Sequence, residues 1–240
     1  MPAYQTRLND RTHVAEHTIA VHLQRPAGFE FKAGQYLDLT LLNPPQMDSQ
    51  GAVRAFSIAS APHEQDLIVA TRARESAFKR LFAAIPLGFE LKFEGPMGCF
   101  ALHKKLARAA AFLVGGIGIT LFRSILRQAT KDKLPYQLYM LYSNRRPEDA
   151  VFLDELRELS QSSAHFIFIP SMTGMEKSKL GWAGERGFIN REMLIKYFYD
   201  LQGPIYYVAG PPAMVAAMRE MLAKAGVSED DIRAEEFSGY

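Results

Sequence analysis

Cysteine is all but missing: Cys99 stands alone among 240 residues. One thiol makes no internal disulfide, no four-cysteine iron-sulfur cluster and no zinc ribbon, so the fold has to rest on its core. Excess charge is missing too. Lys and Arg number 28 against 26 Asp and Glu, a net of +2, which gives no general attraction to nucleic acid or to a membrane surface. The longest apolar stretch, residues 109–122, is interrupted by glycine and falls short of the roughly 20 residues that span a bilayer. The polar start MPAYQTRLNDRTH has no signal-peptide core, so a cytoplasmic protein without a membrane span is expected. Internal repeats and low-complexity tracts are not found. The six histidines show no metal-ligand spacing, and no metal is expected.

What is present is apolar material in two different rhythms. The first hundred residues hold short segments of β character at Thr18–Leu23, Tyr36–Leu41, Arg54–Ile58, Leu67–Ala70 and Phe89–Phe93, with Gly or Pro in the gaps. Such spacing predicts a small antiparallel barrel. One helix interrupts it, Ser76–Ala84, with Ala77, Phe78, Leu81 and Phe82 at helical spacing behind a capping serine. From about Ala107 strands and helices alternate, with five strands beginning at Ala110, Gln137, His165, Ile205 and near Ile232. That alternation predicts a parallel, doubly wound sheet. The expected domains are residues 1–101 and 107–240.

Two glycine turns carry the clearest chemistry. The apolar run Ala110–Val114 enters Gly115-Gly116-Ile117-Gly118 and then a helix containing Thr120. Backbone N–H groups and a positive helix end can approach a phosphate there, although tight strand–helix packing also explains the glycines. Val208-Ala209-Gly210-Pro211-Pro212 makes a second turn of the same kind, and ligands of doubly wound sheets sit beyond such strand ends. Ser143, Asn144, Arg145 and Arg146 follow the second strand of this half; they suit the 2′-phosphate of NADPH or form a solvated loop. In the barrel half, Arg54, Phe56 and Ile58 share one strand face, with Ala55, Ser57 and Ala59 on the other. Residues 71–76 lead cations into the start of the lone helix, a second place for a phosphate.

In this order the motifs resemble the ferredoxin-NADP(+) reductase superfamily over essentially the whole chain. The resemblance implies a flavin-binding antiparallel Greek-key β-barrel followed by a Rossmann-like α/β domain with a parallel five-stranded sheet. It implies FAD and NAD(P)H as cofactors. Arg54, Phe56, Ser57 and Ser60 match the superfamily's R-x-Y/F-S-x-x-S motif. By that match Arg54 meets a flavin phosphate, Phe56 packs on the flavin, and Ser57 sits near flavin N5, with Ala55 beside them. Ala70, Thr71, Arg72, Ser76, Ala77 and Phe78 resemble the pyrophosphate-binding helix start. Gly95-Pro96-Met97-Gly98 resembles the superfamily's barrel-closing turn. Gly115, Gly116, Gly118, Thr120, Ser143, Arg145, Gly210 and Pro211 correspond to the nucleotide side. Glu235 or Glu236 would assist protonation, and Ser57 and Glu236 are the expected catalytic pair. Phe237 or Tyr240 would cover the flavin ring.

The departures are Leu121 in place of a proline after the first turn, and Ala209 where the superfamily often has cysteine. The implied function is hydride transfer from NADH or NADPH to bound FAD, then single electrons to a separate ferredoxin, flavodoxin or oxygenase component. A flavin reductase that releases reduced flavin, and a nucleotide-binding electron-transfer subunit with little activity alone, are the alternatives. Charge bears on the acceptor: residues 101–146 carry nine basic side chains and one acidic, whereas residues 147–240 carry nine basic and fifteen acidic. The basic stretch, including Arg123, Arg127 and Lys131, would dock an acidic partner or form a solvated helix face.

Overall fold

The computed structural model describes residues 2–72 and 76–237. It divides into two compact units, Met1–Ala101 with Thr120–Gln128, and Leu102–Ile119 with Ala129–Tyr240.

The first unit is an antiparallel sheet of six strands: β1 (Ala3–Ala15), β2 (Thr18–Leu23), β3 (Tyr36–Leu41), β4 (Val53–Ser57), β5 (Leu67–Arg72) and β6 (Glu90–Met97). Their order is β4-β3-β6-β1-β2-β5. Just past β4, the Ala59 N–H donates to Ile68 O of β5 at 2.7 Å, which joins the two ends of that order. β1 has no counterpart among the expected strands. Eight of its thirteen residues are polar or charged, and only Thr6 and Leu8 are buried. Pairing makes it a strand: Ala3–Arg7 run along β6 and Leu8–Ala15 along β2, so tertiary context decides where periodicity is silent. Helix α1 (Ala77–Ala84) begins at Ser76, whose hydroxyl accepts the Lys79 N–H, and it buries Phe78 and Phe82 in a core with Phe56, Leu37 and Phe93.

The second unit is parallel throughout. Its strands β7 (Ala110–Gly115), β8 (Leu138–Asn144), β9 (Phe166–Met172), β10 (Glu185–Arg186), β11 (Ile205–Gly210) and β12 (Ile232–Glu236) lie in the order β10-β9-β8-β7-β11-β12. The sheet thus has six strands where five were expected. The extra one, β10, is two polar residues paired with the end of β9, too short to leave a pattern. β7 and β11 are buried at every residue, as central strands of a covered sheet should be. Helices α2 (Ile119–Lys131), α3 (Leu153–Ser162), α4 (Arg191–Ile195) and α5 (Pro212–Lys224) connect them. α3 starts only at Leu153, because Phe152 before it adopts a left-handed φ of 59° and holds the chain out of the helix. Among the described residues no helix is long and apolar enough to cross a membrane.

Candidate functional site

In the first unit β4 carries Arg54, Ala55, Phe56 and Ser57, paired residue for residue with Leu39, Asp38, Leu37 and Tyr36 of β3. Phe56 is only 8% exposed and packs on Phe78 and Phe82, with ring centroids 6.1 and 5.6 Å away, so its ring belongs to the barrel core. Ser57 is equally buried, and its hydroxyl makes no hydrogen bond among the described residues. Ser60 is structural: its Oγ accepts the Ile68 N–H at 3.0 Å, and its carbonyl accepts the Ser124 hydroxyl at 2.6 Å. Ala70 and Thr71 are buried at the end of β5, which finishes at Arg72. Ser76 caps α1, and Ala77 and Phe78 are buried in its first turn.

Arg54 does not stand free at this helix start. It is ion-paired with Asp48, its Nη1 donates to the carbonyls of Gln50, Gly51 and Val53, and its guanidinium lies 5.0 Å over the Phe78 ring. The Arg54 hydrogen bond, helped by the Gln50 and Phe78 amides, holds the Asp48 carboxyl below the usual range.

Glu64 organises the other side of this unit. Its carboxylate accepts from the Ala61 N–H at 2.6 Å, from Arg123 at 3.0 and 3.2 Å, and ion-pairs with Arg127 at 3.1 Å. Burial alone would raise its pKa; Arg123, the Ala61 amide and Arg127 outweigh burial and hold it low. Arg123 is itself buried and also donates to Ala59 O. The expected basic helix face is therefore taken up largely inside the unit. Two more cations of the basic stretch are engaged likewise, Arg108 with Asp231 and Arg146 with Asp149.

In the second unit the two glycine turns come back to back at the ends of neighbouring strands β7 and β11. A Cβ on Gly118 would lie 2.8 Å from Ala209 O, and one on Gly210 would lie 3.2 Å from Gly115 Cα. On Gly115 it would run into Met214 and Pro211, and Gly116 takes a left-handed φ of 51°. Tight packing thus accounts for these glycines: Met214 and Pro211 fill the space beside Gly115, and Met214 also lies against Gly210. Thr120 is buried one residue into α2. Beside β7, Ser143 is half-buried near the end of β8, Arg145 is exposed just beyond it, and Asn144 is only 6% exposed. Neither Asn144 Oδ1 nor Nδ2 has a hydrogen-bond partner. A buried amide left unpaired costs about 1 to 3 kcal/mol, so its donor and acceptor suit a ligand crossing the strand ends. One strand further out, a cavity of about 560 Å3 opens at the end of β9, lined by Met172, Thr173, Met175, Glu176, Trp182 and Arg186 among others. Its size is that of a small-molecule site.

On the opposite flank Glu235 of β12 pairs with Ala209. It is half-buried, and burial raises its carboxyl pKa. Glu236 is exposed. Of the two carboxyls expected to assist protonation, Glu235 is the half-buried one. Phe237 is tied to the second turn by its N–H, which donates to Gly210 O at 3.0 Å. Tyr240 lies outside the described residues.

With that geometry in place the comparisons are specific. The family model of the oxidoreductase NAD-binding domain matches residues 112–220. The reductase component of propane 2-monooxygenase from Rhodococcus jostii is 29% identical over 218 residues, 89% of this chain and 57% of that protein. Ferredoxin-NADP reductase B of Sorangium cellulosum is 29% identical over 220 residues, 87% of this chain and 86% of that protein. A solved ferredoxin NADP+ reductase from Neisseria gonorrhoeae, with bound FAD and NADP, superposes with a TM-score of 0.81 at 23% identity over 98% of both chains. The chain is thus similar in sequence to ferredoxin-NADP reductase B over most of its length, and it shares the fold of the solved ferredoxin NADP+ reductase. It spans little more than half the length of the propane monooxygenase reductase.

Of the two serines on this stretch, Ser60 is held in the structure, whereas the Ser57 hydroxyl has no hydrogen bond among the described residues. Sequence reasoning missed Asp48 and Glu64, and it placed Asn144 only within the run of residues 143–146 without a part of its own. Only Asn144 left a signal, a lone amide closing an otherwise apolar strand.

Proposed function

We propose that this chain is an FAD-dependent NAD(P)H oxidoreductase that passes electrons singly to a separate acceptor, a ferredoxin, a flavodoxin or an oxygenase component. The observation that carries the reading is the pair of adjoining glycine turns at the ends of β7 and β11, flanked by an unpaired amide on one side and a carboxyl with a raised pKa on the other. Bound FAD supplies the chemistry, accepting a hydride and releasing electrons one at a time. The rest is work for the protein. Gly115, Gly116 and Gly210 keep side chains away from the nucleotide, and Asn144 offers it a donor and an acceptor. The unpartnered Ser57 hydroxyl suits a hydrogen bond to the flavin ring edge. Burial raises the Glu235 carboxyl pKa, so it keeps its proton to higher pH than an exposed carboxyl does.

The acceptor side of the proposal rests on less charge than residues 101–146 suggest, since Arg108, Arg123, Arg127 and Arg146 engage carboxylates within their own units. The field left to steer an acidic partner comes mainly from Lys104, Lys105, Lys131, Lys133 and Arg145.

One observation favours the second reading, a reductase of exchangeable flavin. The Arg54 guanidinium and the Phe78 amide at the start of α1 are already engaged by Asp48. Loading with FAD followed by gel filtration separates the two readings. A protein that stays yellow and is bleached anaerobically by NADH or NADPH supports the oxidoreductase; one that loses flavin on the column yet reduces added flavin supports the alternative. No bleaching under either condition rules out both.

A further inference from the structure

Asp48 occupies donors of the kind that recognise a phosphate. A phosphate is bound by a guanidinium and by the backbone N–H groups that a helix leaves unpaired in its first turn. Here one carboxylate takes both. Asp48 Oδ1 faces Arg54 Nη2 and accepts the Gln50 N–H at 3.0 Å, while Oδ2 accepts the Phe78 N–H of the first turn of α1 at 3.5 Å. The neighbouring Lys79 N–H is taken by the Ser76 hydroxyl at 3.2 Å. Arg54 is further held by three carbonyls at 2.7 to 3.0 Å from the segment that carries Asp48. The turn bearing Asp48 is closed by one backbone bond, Gly51 N–H to Asp48 O at 3.0 Å, and its Met47 side chain is 62% exposed.

We infer that Asp48 is a built-in competitor of the flavin diphosphate: it holds Arg54 and the start of α1 until the diphosphate displaces it, and so sets how tightly flavin is retained. The inference rests on the flavin reading proposed above. Two anions on one guanidinium and one helix end repel each other, so the diphosphate and the Asp48 carboxylate cannot both be held. Binding must break the Arg54–Asp48 pair and turn the Asp48 side chain outward. Only flavins that carry phosphate meet this competition, because the ring system alone has no claim on Arg54.

The test is a fluorescence-quenching titration of the full chain with FAD and with riboflavin, which lacks phosphate, for the wild type, Asp48→Asn and Asp48→Ser. Both substitutions should tighten FAD about tenfold, roughly 1.4 kcal/mol, and leave riboflavin unchanged. Equal or weaker FAD binding in variants whose circular dichroism matches the wild type overturns the inference. So does an equal gain for riboflavin. A second measurement needs no variant: FAD, and not riboflavin, should speed hydrogen exchange at the Gln50 amide, which loses Asp48 as its acceptor. Unchanged exchange at Gln50 in the FAD-loaded protein overturns the inference while leaving the flavin reading intact. If the wild type and both variants bind neither flavin, the flavin reading falls and the inference with it.

Discussion

The two units solve opposite problems at their candidate sites. In the first, most of the polar groups satisfy one another: Arg54 has Asp48, Ser60 has Ile68 and Ser124, and Ser76 has Lys79, while Ser57 has no such bond among the described residues. In the second, the groups at the strand ends are left wanting. Asn144 is buried with an unpaired amide, and Glu235 is half-buried with a raised pKa. Burying a polar group without a partner is costly, so a persistent exception points to a missing ligand. A satisfied cluster says something different, namely that a ligand must compete to enter. One unit is therefore prepared for its nucleotide and the other has to be opened by it.

The largest expected effect breaks the self-satisfied side. Glu64→Gln leaves Arg123 buried with its ion pair removed and should cost about 4 kcal/mol, read as a fall in the denaturant midpoint. The Glu64 carboxyl titrates below its ordinary value in the folded protein, so its stabilisation is complete above the ordinary carboxylate range and is lost as pH falls through the lowered folded value. A melting series from neutral down to about pH 3 should show that loss in the wild type and a flatter curve in Glu64→Gln.

Next comes the contact between the two glycine turns. Gly118→Ala pushes a methyl group against the Ala209 carbonyl, which as backbone cannot turn aside, and should destabilise by about 3 kcal/mol. A melting temperature equal to the wild type would show that the two turns have room to move apart.

Glu235→Gln sharpens the unsatisfied side. The raised pKa means that Glu235 keeps its proton to higher pH than an ordinary carboxyl, so flavin reduction should slow as pH rises through that value. The variant should lose this limb of the pH profile and reduce flavin about a hundredfold more slowly, while Glu236→Gln changes little. Equal profiles for the two variants would return the role to neither residue.

The smallest effect has the most telling sign. Asn144→Leu removes an unpaired buried amide, so the protein should become more stable by about 1 kcal/mol while nucleotide binding weakens about tenfold. Stability and binding falling together would mean that the amide has a partner inside the protein.

Much of this architecture was legible in the sequence because its signals are local. The strand-to-glycine transitions at Gly115 and Gly210, the capping Ser76 and the apolar spacing of Ala77, Phe78 and Phe82 each depend on neighbours a few residues away. What was not legible depends on distant partners. β1 is polar and becomes a strand only by pairing with β2 and β6, and β10 is two residues long. Asp48 and Arg54 are close in sequence, but the amide that completes their cluster belongs to Phe78, thirty residues away. Glu64 meets Arg123 across 59 residues. The basic stretch of residues 101–146 reads as a surface for a partner until those carboxylates are placed beside it.

The central claim is that this protein moves electrons from a nicotinamide nucleotide to flavin, and anaerobic rapid mixing of the FAD-loaded protein tests it most directly. The account predicts loss of the visible flavin absorbance with NADH or NADPH in the wild type, and in Asn144→Leu the same loss at about tenfold higher nucleotide. Flavin absorbance that stays unchanged with both nucleotides, at any concentration, would contradict it.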